Sequence, residues 1–287
     1  MPISETDLIY CEDGSIYHLG LHSEQVPDLI FTVGDPERVP LVSQYFDSVE
    51  TKVTHREFVS HIGRVGDCSL MVISSGMGTD NVEILMTELD ALVNIDREAR
   101  QTKASLRSLT IIRLGTSGAL QPNVPLDSIL ISQTAFGLDT LMQFYSYRMP
   151  SSFKKAVDQL KSDLDLEFTP YAAEADSELI TLFQSQFQVG NTVTCPGFYA
   201  PQGRQLRLAS RQSRFLEKLI NFRSSDITLA NLEMETAGYY ALGQLLGHRV
   251  LSVNAILAHR NSGKFSTNPA KTVGRMIERV LAKTNQL

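Results

Sequence analysis

The stretch IIRLGTSGALQP carries a cation, two hydroxyls and two glycines within a few residues. Arg113 follows a short apolar run of strand character, and Thr116 and Ser117 supply the hydroxyls. We expect Gly115 and Gly118 to turn the chain tightly on either side of them. A strand that ends in an arginine, two hydroxyls and free backbone N–H groups suits a small oxyanion. This stretch alone supports a plain strand-to-helix turn with a buried arginine equally well.

Three further arginines stand beside glycine turns or strand ends. Arg38 follows Gly34 in GDPERV, Arg56 lies in HREF, and Arg204 ends FYAPQGR. Together Arg38, Arg56 and Arg113 suit one phosphate, because guanidinium groups bind its oxygens in pairs. Taken singly, Arg38 has a plainer interpretation as a solvated helix residue.

Aromatic, amide and carboxylate side chains add to this set. Phe198, Gln202 and Arg204 suit a flat ring with a polar edge, although the segment is also typical of a structured surface loop. Glu235 suits the hydroxyls of a sugar. The alternative is that Glu233 and Glu235 only match the dipole at the start of a helix, which we predict for NLEMETAGYYALGQL.

The elements that position these groups alternate between strand-like and helix-like segments, which predicts an α/β fold with a largely parallel core. Strands are predicted at 29–33, 70–74, 126–132, 189–194 and 249–257, and helices after Asp80, twice within 151–185, at 231–245 and after Asn268. In open α/β sheets ligands bind outside the carboxyl ends of strands, which would bring the arginine segments together.

Composition excludes several classes of protein. The chain has 287 residues, 43% of them hydrophobic and 20% charged, with a net charge of −6. That charge argues against a nucleic-acid or membrane-surface binder. Three scattered cysteines predict neither disulfides nor a zinc site. No signal peptide or membrane segment is apparent, so the predicted location is cytoplasmic. No GxGxxG follows the first strand, which excludes a nicotinamide dehydrogenase.

The chain resembles nucleoside phosphorylases of the hexameric-type family over nearly its whole length. The segments that carry the resemblance are IYHLGL at 16–21, GDPERV at 34–39, HREF at 55–58, RLGTSGALQP at 113–122, FYAPQGR at 198–204 and NLEMET at 231–236. The resemblance implies a single domain over 1–287, with an α/β fold: a three-layer α/β/α sandwich around a distorted mixed sheet.

The resemblance also implies three groups of binding residues. The implied phosphate site is Gly34, Arg38, Arg113, Thr116 and Ser117, with Arg56 from a neighbouring subunit. The implied ribose site is His18, from across the dimer interface, with Met234 and Glu235, and the implied base site is Phe198, Gln202 and Arg204. Arg113, Arg204 and Glu235 are the implied catalytic residues.

The implied assembly is a homodimer or a hexamer (a trimer of dimers) with shared active sites. Phosphate and a nucleoside are the implied small-molecule partners, with no organic cofactor and no metal. A monovalent cation near Glu57 occurs in some relatives, and the sequence does not decide whether one binds here.

The implied reaction is reversible phosphorolysis of uridine, and deoxyuridine and thymidine stay open as substrates. Purine-cleaving relatives carry an aspartate near the end of the last core strand, where this chain has Ala258, His259 and Arg260, which favours a pyrimidine. The alternatives are a purine nucleoside phosphorylase, a hydrolytic nucleosidase on the same fold, and a catalytically silent nucleoside-binding protein. Asp80, and a connection at 94–108 longer than the family pattern, have no assigned role.

Overall fold

Strands and helices alternate along the chain, as predicted. The computed structural model describes residues 2–212 and 214–287, and these contain fourteen strands and seven α-helices. The strands are β1 Leu29–Val33, β2 Ser48–His55, β3 Phe58–Val65, β4 Cys68–Ser74, β5 Ile95–Asp96, β6 Gln101–Thr102, β7 Thr110–Ala119, β8 Ile129–Gly137, β9 Tyr171–Glu174, β10 Gln188–Thr194, β11 Arg223–Ser224, β12 Ile227–Glu233, β13 Arg249–His259 and β14 Lys264–Phe265. The helices are α1 Arg38–Ser43, α2 Thr79–Asn94, α3 Lys154–Asp163, α4 Ser177–Phe183, α5 Phe215–Asn221, α6 Thr236–Leu246 and α7 Pro269–Leu281.

The central sheet is mixed and partly closes on itself. Its strand order is β11-β12-β10-β8-β13-β7-β1-β4-β3-β2, with β13, β7, β1 and β4 parallel to one another. Strand β12 also pairs with β7, through Asn231 opposite Ala119 and Leu232 opposite Gly118. Strands β7, β13, β8, β10 and β12 therefore form a closed five-stranded barrel, and β1 to β4 extend from it as an open sheet.

Helices cover both faces of the open sheet. Ile30 of β1 belongs to a core with α2 and α6, whereas its neighbour Phe31 belongs to a core with α1, α4 and α7. Successive strand residues point to opposite faces, so β1 is buried on both. This arrangement confirms the predicted α/β class and its three layers.

Two helix predictions made from caps and apolar stripes are confirmed in position. The predicted stripe of α2 is buried, and the side chain of Asn268 caps α7 by accepting from the N–H of Lys271. The sequence pattern predicts Asp80 as the N-cap of α2, and this prediction is wrong. Gly78, at φ +94°, takes the N-cap position, and Asp80 lies in the exposed first turn. None of the helices in residues 2–212 and 214–287 is long and apolar enough to cross a bilayer.

Other boundaries were predicted wrongly. The strand expected at 126–132 is β8, which begins at Ile129 because Asp127 adopts φ +63° and its carboxylate accepts from Ser266 and Thr272. The segment 151–185 contains β9 between its two helices. This strand has four residues, too few to show a period, and it forms by pairing with β8.

Candidate active site

A cavity of about 660 Å³ lies where β1, β7 and β12 bring their carboxyl-terminal halves together. Most of the residues implied by the resemblance line it: Gly34, Arg38, Arg113, Thr116, Ser117, Phe198, Gln202, Arg204, Met234 and Glu235. The position agrees with the rule that ligands bind at the carboxyl ends of strands in α/β sheets. The four sequence segments that supply these side chains are far apart along the chain, and the fold brings them to one cavity.

Arg38 reaches the cavity from the first residue of α1. The carboxylate of Asp35 accepts from the N–H of Glu37, which turns the chain before the helix begins at Arg38. The Nη1 of Arg38 donates to the carbonyl of Leu114 at 3.1 Å. Burial lowers the pKa of Arg38, and the charge of Arg113 lowers it further. Two cations that repel each other beside one cavity favour an anion between them.

Arg113 is buried and held on both sides of its guanidinium. Its Nη2 lies 2.5 Å from Glu235 Oε2 and 3.1 Å from Glu233 Oε2. Its Nη1 donates to Asn254 Oδ1 at 2.9 Å and Ser252 Oγ at 3.2 Å. Burial opposes the charge of Arg113, but the two carboxylates outweigh it and raise the pKa of the guanidinium. Burial also raises the pKa of Glu235. The predicted phosphate cation and the predicted ribose carboxylate are thus one ion pair.

Gly115 and Gly118 do not turn the chain, contrary to the prediction, because β7 runs through both to Ala119. A Cβ on Gly115 would lie 1.9 Å from Arg113 Nη1, since residues two apart on a strand share a face. A Cβ on Gly118 would lie 3.0 Å from Arg260 Cγ. The glycines leave room for two arginine side chains packed against the strand.

The junction of β12 and α6 holds Met234 and Glu235, the residues of this chain's cavity that the resemblance implies for ribose. The helix predicted over 231–245 begins only at Thr236, because residues 227–233 pair as β12. Glu233 caps it: its Oε2 accepts from the N–H groups of Glu235 and Thr236 at 3.0 and 2.9 Å. The expected match of a carboxylate to the helix end therefore holds for Glu233. Glu235 Oε1 instead accepts from the N–H of Gly78 at 2.8 Å. Met234, between the two glutamates in the sequence, is half-buried.

The residues implied for the base also line the cavity, from the loop that follows β10. The guanidinium carbon of Arg204 lies 3.6 Å from the ring centre of Phe198. The Nη1 of Arg204 donates to the Phe198 carbonyl at 2.6 Å and to Gln202 Oε1 at 2.5 Å. Gln202 is buried in a short 3₁₀ turn that ends at Gly203, whose φ of +69° suits glycine. Burial, and then the charge of Arg260, lower the pKa of Arg204 to about 10, so it is a cation at neutral pH.

Two of the implied site residues, His18 and Arg56, do not line the cavity. Arg56 lies at the tip of the β2–β3 hairpin, with its guanidinium carbon 4.8 Å from the ring centre of Tyr17. The Nδ1 of His18 lies 2.6 Å from Glu88 Oε1, and its carbonyl is 3.0 Å from His55 Nδ1. The structure brings His18 and Arg56 near each other, and neither side chain lines the cavity of the same chain, although Glu57, the next residue, does.

Several lining residues have no counterpart in the sequence predictions. Met77, Asn81, Leu257 and Phe265 also line the cavity. Ala258, which the sequence analysis compared with the aspartate of purine-cleaving relatives, lines it as well. Asn254, behind Arg113, was visible in the sequence as the one amide in the apolar run RVLSVNAIL, and a polar residue in a buried strand needs a partner. For Phe265, exposed on the two-residue strand β14, no sequence signal exists.

Residues 28–286 match the sequence profile of the phosphorylase superfamily, and the chain belongs to that family.

The similar proteins cleave pyrimidine or purine nucleosides. Uridine phosphorylase of Thermococcus kodakarensis is 29% identical over 256 residues, which cover 88% of this chain and 81% of that protein. A DeoD-type purine nucleoside phosphorylase of Anoxybacillus flavithermus is 24% identical over 267 residues, or 91% and 95% of the two chains. A nucleoside phosphorylase of Trypanosoma brucei that shows uridine phosphorylase activity superimposes with a TM-score of 0.87 at 26% identity, over 97% of this chain and 99% of that one. The resemblance read from the sequence is confirmed: this chain is a nucleoside phosphorylase, a pentosyltransferase that uses a nucleoside and phosphate.

Proposed function

We propose that the enzyme catalyses the reversible phosphorolysis of uridine to uracil and ribose 1-phosphate. The observation that supports uracil as the base is the hydrogen bond from Arg204 Nη1 to Gln202 Oε1, at 2.5 Å. Because arginine only donates, the amide of Gln202 is turned with its oxygen toward Arg204 and its NH₂ group away. The cavity end then offers a donor, an acceptor and a second donor in order.

That order matches one edge of uracil. Uracil presents the O4 acceptor, the N3–H donor and the O2 acceptor, which pair with Arg204, Gln202 Oε1 and Gln202 Nε2 in turn. Cytosine lacks the N3 proton and carries an amino group in place of O4, so it would face two mismatched contacts. A site built for hydrogen bonds rejects such an analogue strongly.

The remaining subsites follow along the cavity. Arg38, Arg113, Thr116 and Ser117 would hold phosphate beside the backbone at Gly34. Met234 and Glu235 would contact the ribose between phosphate and base. The nucleoside would thus bridge the arginine pair and the base-reading loop, with phosphate on the opposite side of C1′.

The chemistry needs no protein nucleophile. A phosphate oxygen forms the bond to C1′ as the bond from C1′ to N1 breaks, and the bonding electrons leave with uracil. Arg38 and Arg113 orient the attacking phosphate, whose charge stabilises the positive sugar. The departing uracil anion carries its charge largely on O2 and O4, where Arg204 meets it, and it later takes a proton from water.

A substrate panel tests this function. Uridine, deoxyuridine, thymidine, cytidine, inosine and adenosine should each be incubated with and without phosphate. We expect phosphate-dependent release of uracil from uridine, with cytidine slower by a factor of at least about 10². Cleavage of inosine but not uridine would replace this proposal by a purine phosphorylase, and release without phosphate would indicate a nucleosidase.

We further propose that the active site is shared between two subunits. Arg56 and His18 lie together on a surface outside the cavity of their own chain. A twofold dimer places the same surface of each subunit against the other, so each could complete its partner's cavity. Arg56 of one subunit would then supply a third guanidinium to the phosphate in the other, and His18 would contact the ribose.

Mixed dimers test the shared site. Arg38→Ala and Arg56→Ala should each abolish most activity when expressed alone. Coexpressed with different tags, half of the dimers are mixed and each mixed dimer regains one of its two sites, so about one quarter of wild-type activity should return. A mixture no more active than its parents would show that both arginines serve the same subunit's site.

A further inference from the structure

A directional chain of hydrogen bonds crosses the interior of the five-stranded barrel. It starts at Arg113 on β7, passes through one side chain on each of β13, β8, β10 and β12, and returns to β7 at Ser117. Its successive links are Arg113 Nη1 to Asn254 Oδ1 at 2.9 Å, Asn254 Nδ2 to Ser132 Oγ at 3.0 Å, Ser132 Oγ to Thr192 Oγ1 at 2.5 Å, Thr192 Oγ1 to Asn231 Oδ1 at 2.8 Å, and Asn231 Nδ2 to Ser117 Oγ at 2.9 Å. The four intermediate side chains are fully buried, and both ends line the cavity.

The direction of the chain is set by its first member. Arginine can only donate, so the oxygen of Asn254 faces it and the NH₂ group of Asn254 faces Ser132. At the other end, the one proton of Thr192 goes to the oxygen of Asn231, so Ser132 must donate to Thr192. Every link therefore donates in the same sense around the barrel.

The last member receives a hydrogen bond and keeps its own proton. Ser117 Oγ accepts from the Asn231 amide, which leaves the hydroxyl proton of Ser117 free to donate. Ser117 lines the cavity on the same strand as Arg113, the start of the chain. Chains of hydrogen bonds polarise one another, and this one begins at a cation, which strengthens the final donor.

We infer that this chain orients the hydroxyl of Ser117 as a hydrogen-bond donor to phosphate, and that Asn254, Ser132, Thr192 and Asn231 are positioning residues for it. The inference rests on the proposed phosphate subsite and adds a specific role for its hydroxyl. It also explains why the barrel interior is polar here: an apolar core would leave Ser117 Oγ without the Asn231 amide and would take one acceptor, Asn254, from Arg113.

Thr192 offers the sharpest test, because valine has nearly the same shape and lacks the hydroxyl. Thr192→Val breaks the chain at its centre, which frees the Asn231 amide to rotate and lets Ser117 donate to it instead of phosphate. We expect the dissociation constant for inorganic phosphate, measured by calorimetry, and the KM for phosphate to rise about tenfold, since hydrogen bonds to charged groups contribute strongly. The KM for uridine should stay unchanged, and Thr192→Ser should restore the wild-type values.

Three comparisons separate positioning from general damage to the fold. Thr134→Val removes a buried hydroxyl from β8 that is outside the chain, and it should leave phosphate binding unchanged. Asn231→Leu removes the amide that donates to Ser117 and should reproduce the effect, which covers the case in which Thr192→Val does not fold. In a Ser117→Ala background, Thr192→Val should weaken phosphate binding no further, because its effect acts through that hydroxyl.

The inference would be overturned if Thr192→Val left the dissociation constant for phosphate unchanged. It would also be overturned if Thr192→Val weakened phosphate binding as much in the Ser117→Ala background as in the wild type. Neither result would contradict the phosphorolysis of uridine. A wild-type enzyme that binds phosphate and acts on inosine alone would overturn the proposed base and leave the chain intact. A wild-type enzyme with no affinity for phosphate would overturn both.

Discussion

Arg113→Ala should reduce phosphorolysis by about 10²–10³-fold and also lower the stability of the folded protein. The loss of activity follows from the proposed role of the side chain in orienting the attacking phosphate, and removal of one such preorganised donor has an effect of this size in other enzymes. The loss of stability follows because Glu233 and Glu235 would stay buried without the cation that neutralises them. Breaking a buried ion pair costs about 3–5 kcal/mol, which corresponds to a fall in Tm of roughly 10 °C.

A double variant separates the two effects. Arg113→Ala with Glu235→Gln removes one of the stranded carboxylates, so it should recover part of the Tm and none of the phosphate-dependent rate. Arg249→Ala is the matched control, because Arg249 also pairs with carboxylates, Asp176 and Glu178, but lies on β13 outside the cavity. If Arg113→Ala kept the wild-type dependence of rate on phosphate concentration, its role in the phosphate site would be wrong.

Arg204→Ala should lower kcat/KM for uridine by about 10²-fold or more and change the Tm little. The guanidinium is only partly buried, but it fixes the Gln202 amide and meets the charge on the leaving base. Two contacts to the base would be lost together, and one of them strengthens as charge develops. Steady-state kinetics with uridine at saturating phosphate measures the effect.

The acidity of the leaving base tests the reason for this loss. 5-Fluorouracil is a stronger acid than uracil and needs less stabilisation as an anion, so Arg204→Ala should slow 5-fluorouridine less than uridine. Arg207→Ala, three residues further along the same loop and exposed, should affect neither substrate. An equal loss for both nucleosides would mean that Arg204 binds the base without stabilising its charge.

The ion pair between Arg113 and Glu235 joins the proposed phosphate subsite to the proposed ribose subsite. In the structure Arg113 and Glu235, the residues that we propose bind phosphate and ribose, form an ion pair, and the N–H of Gly78 donates to the second oxygen of Glu235. A phosphate that shared Arg113 would leave Glu235 freer to accept hydrogen bonds from the ribose. Charge at the proposed phosphate subsite would therefore affect the proposed ribose subsite.

The sequence by itself determined the class of the fold and predicted most of the side chains that line the cavity. Arg38, Arg113, the FYAPQGR segment and the NLEMET segment are recognised from local patterns, and each contributes residues to the cavity. The strands at 29–33, 70–74, 189–194 and 249–257 were likewise read correctly, because continuous apolar runs bounded by turns depend only on neighbouring residues.

The tertiary structure alone decided how those pieces meet. The sequence predicts a turn at Gly115, because a glycine in a turn and a glycine in a crowded strand give the same local pattern. Only the position of the Arg113 guanidinium beside Gly115 distinguishes the two cases. The sequence predicts that NLEMET starts a helix. Its first residues instead end strand β12, because they pair with β10 and β7, which lie elsewhere in the chain. The partners of Arg113, namely Glu235 and Asn254, are 122 and 141 residues away. Distant contacts of this kind close the barrel and form the chain of hydrogen bonds inside it. They also decide that His18 and Arg56 do not line the cavity. No local pattern encodes such contacts.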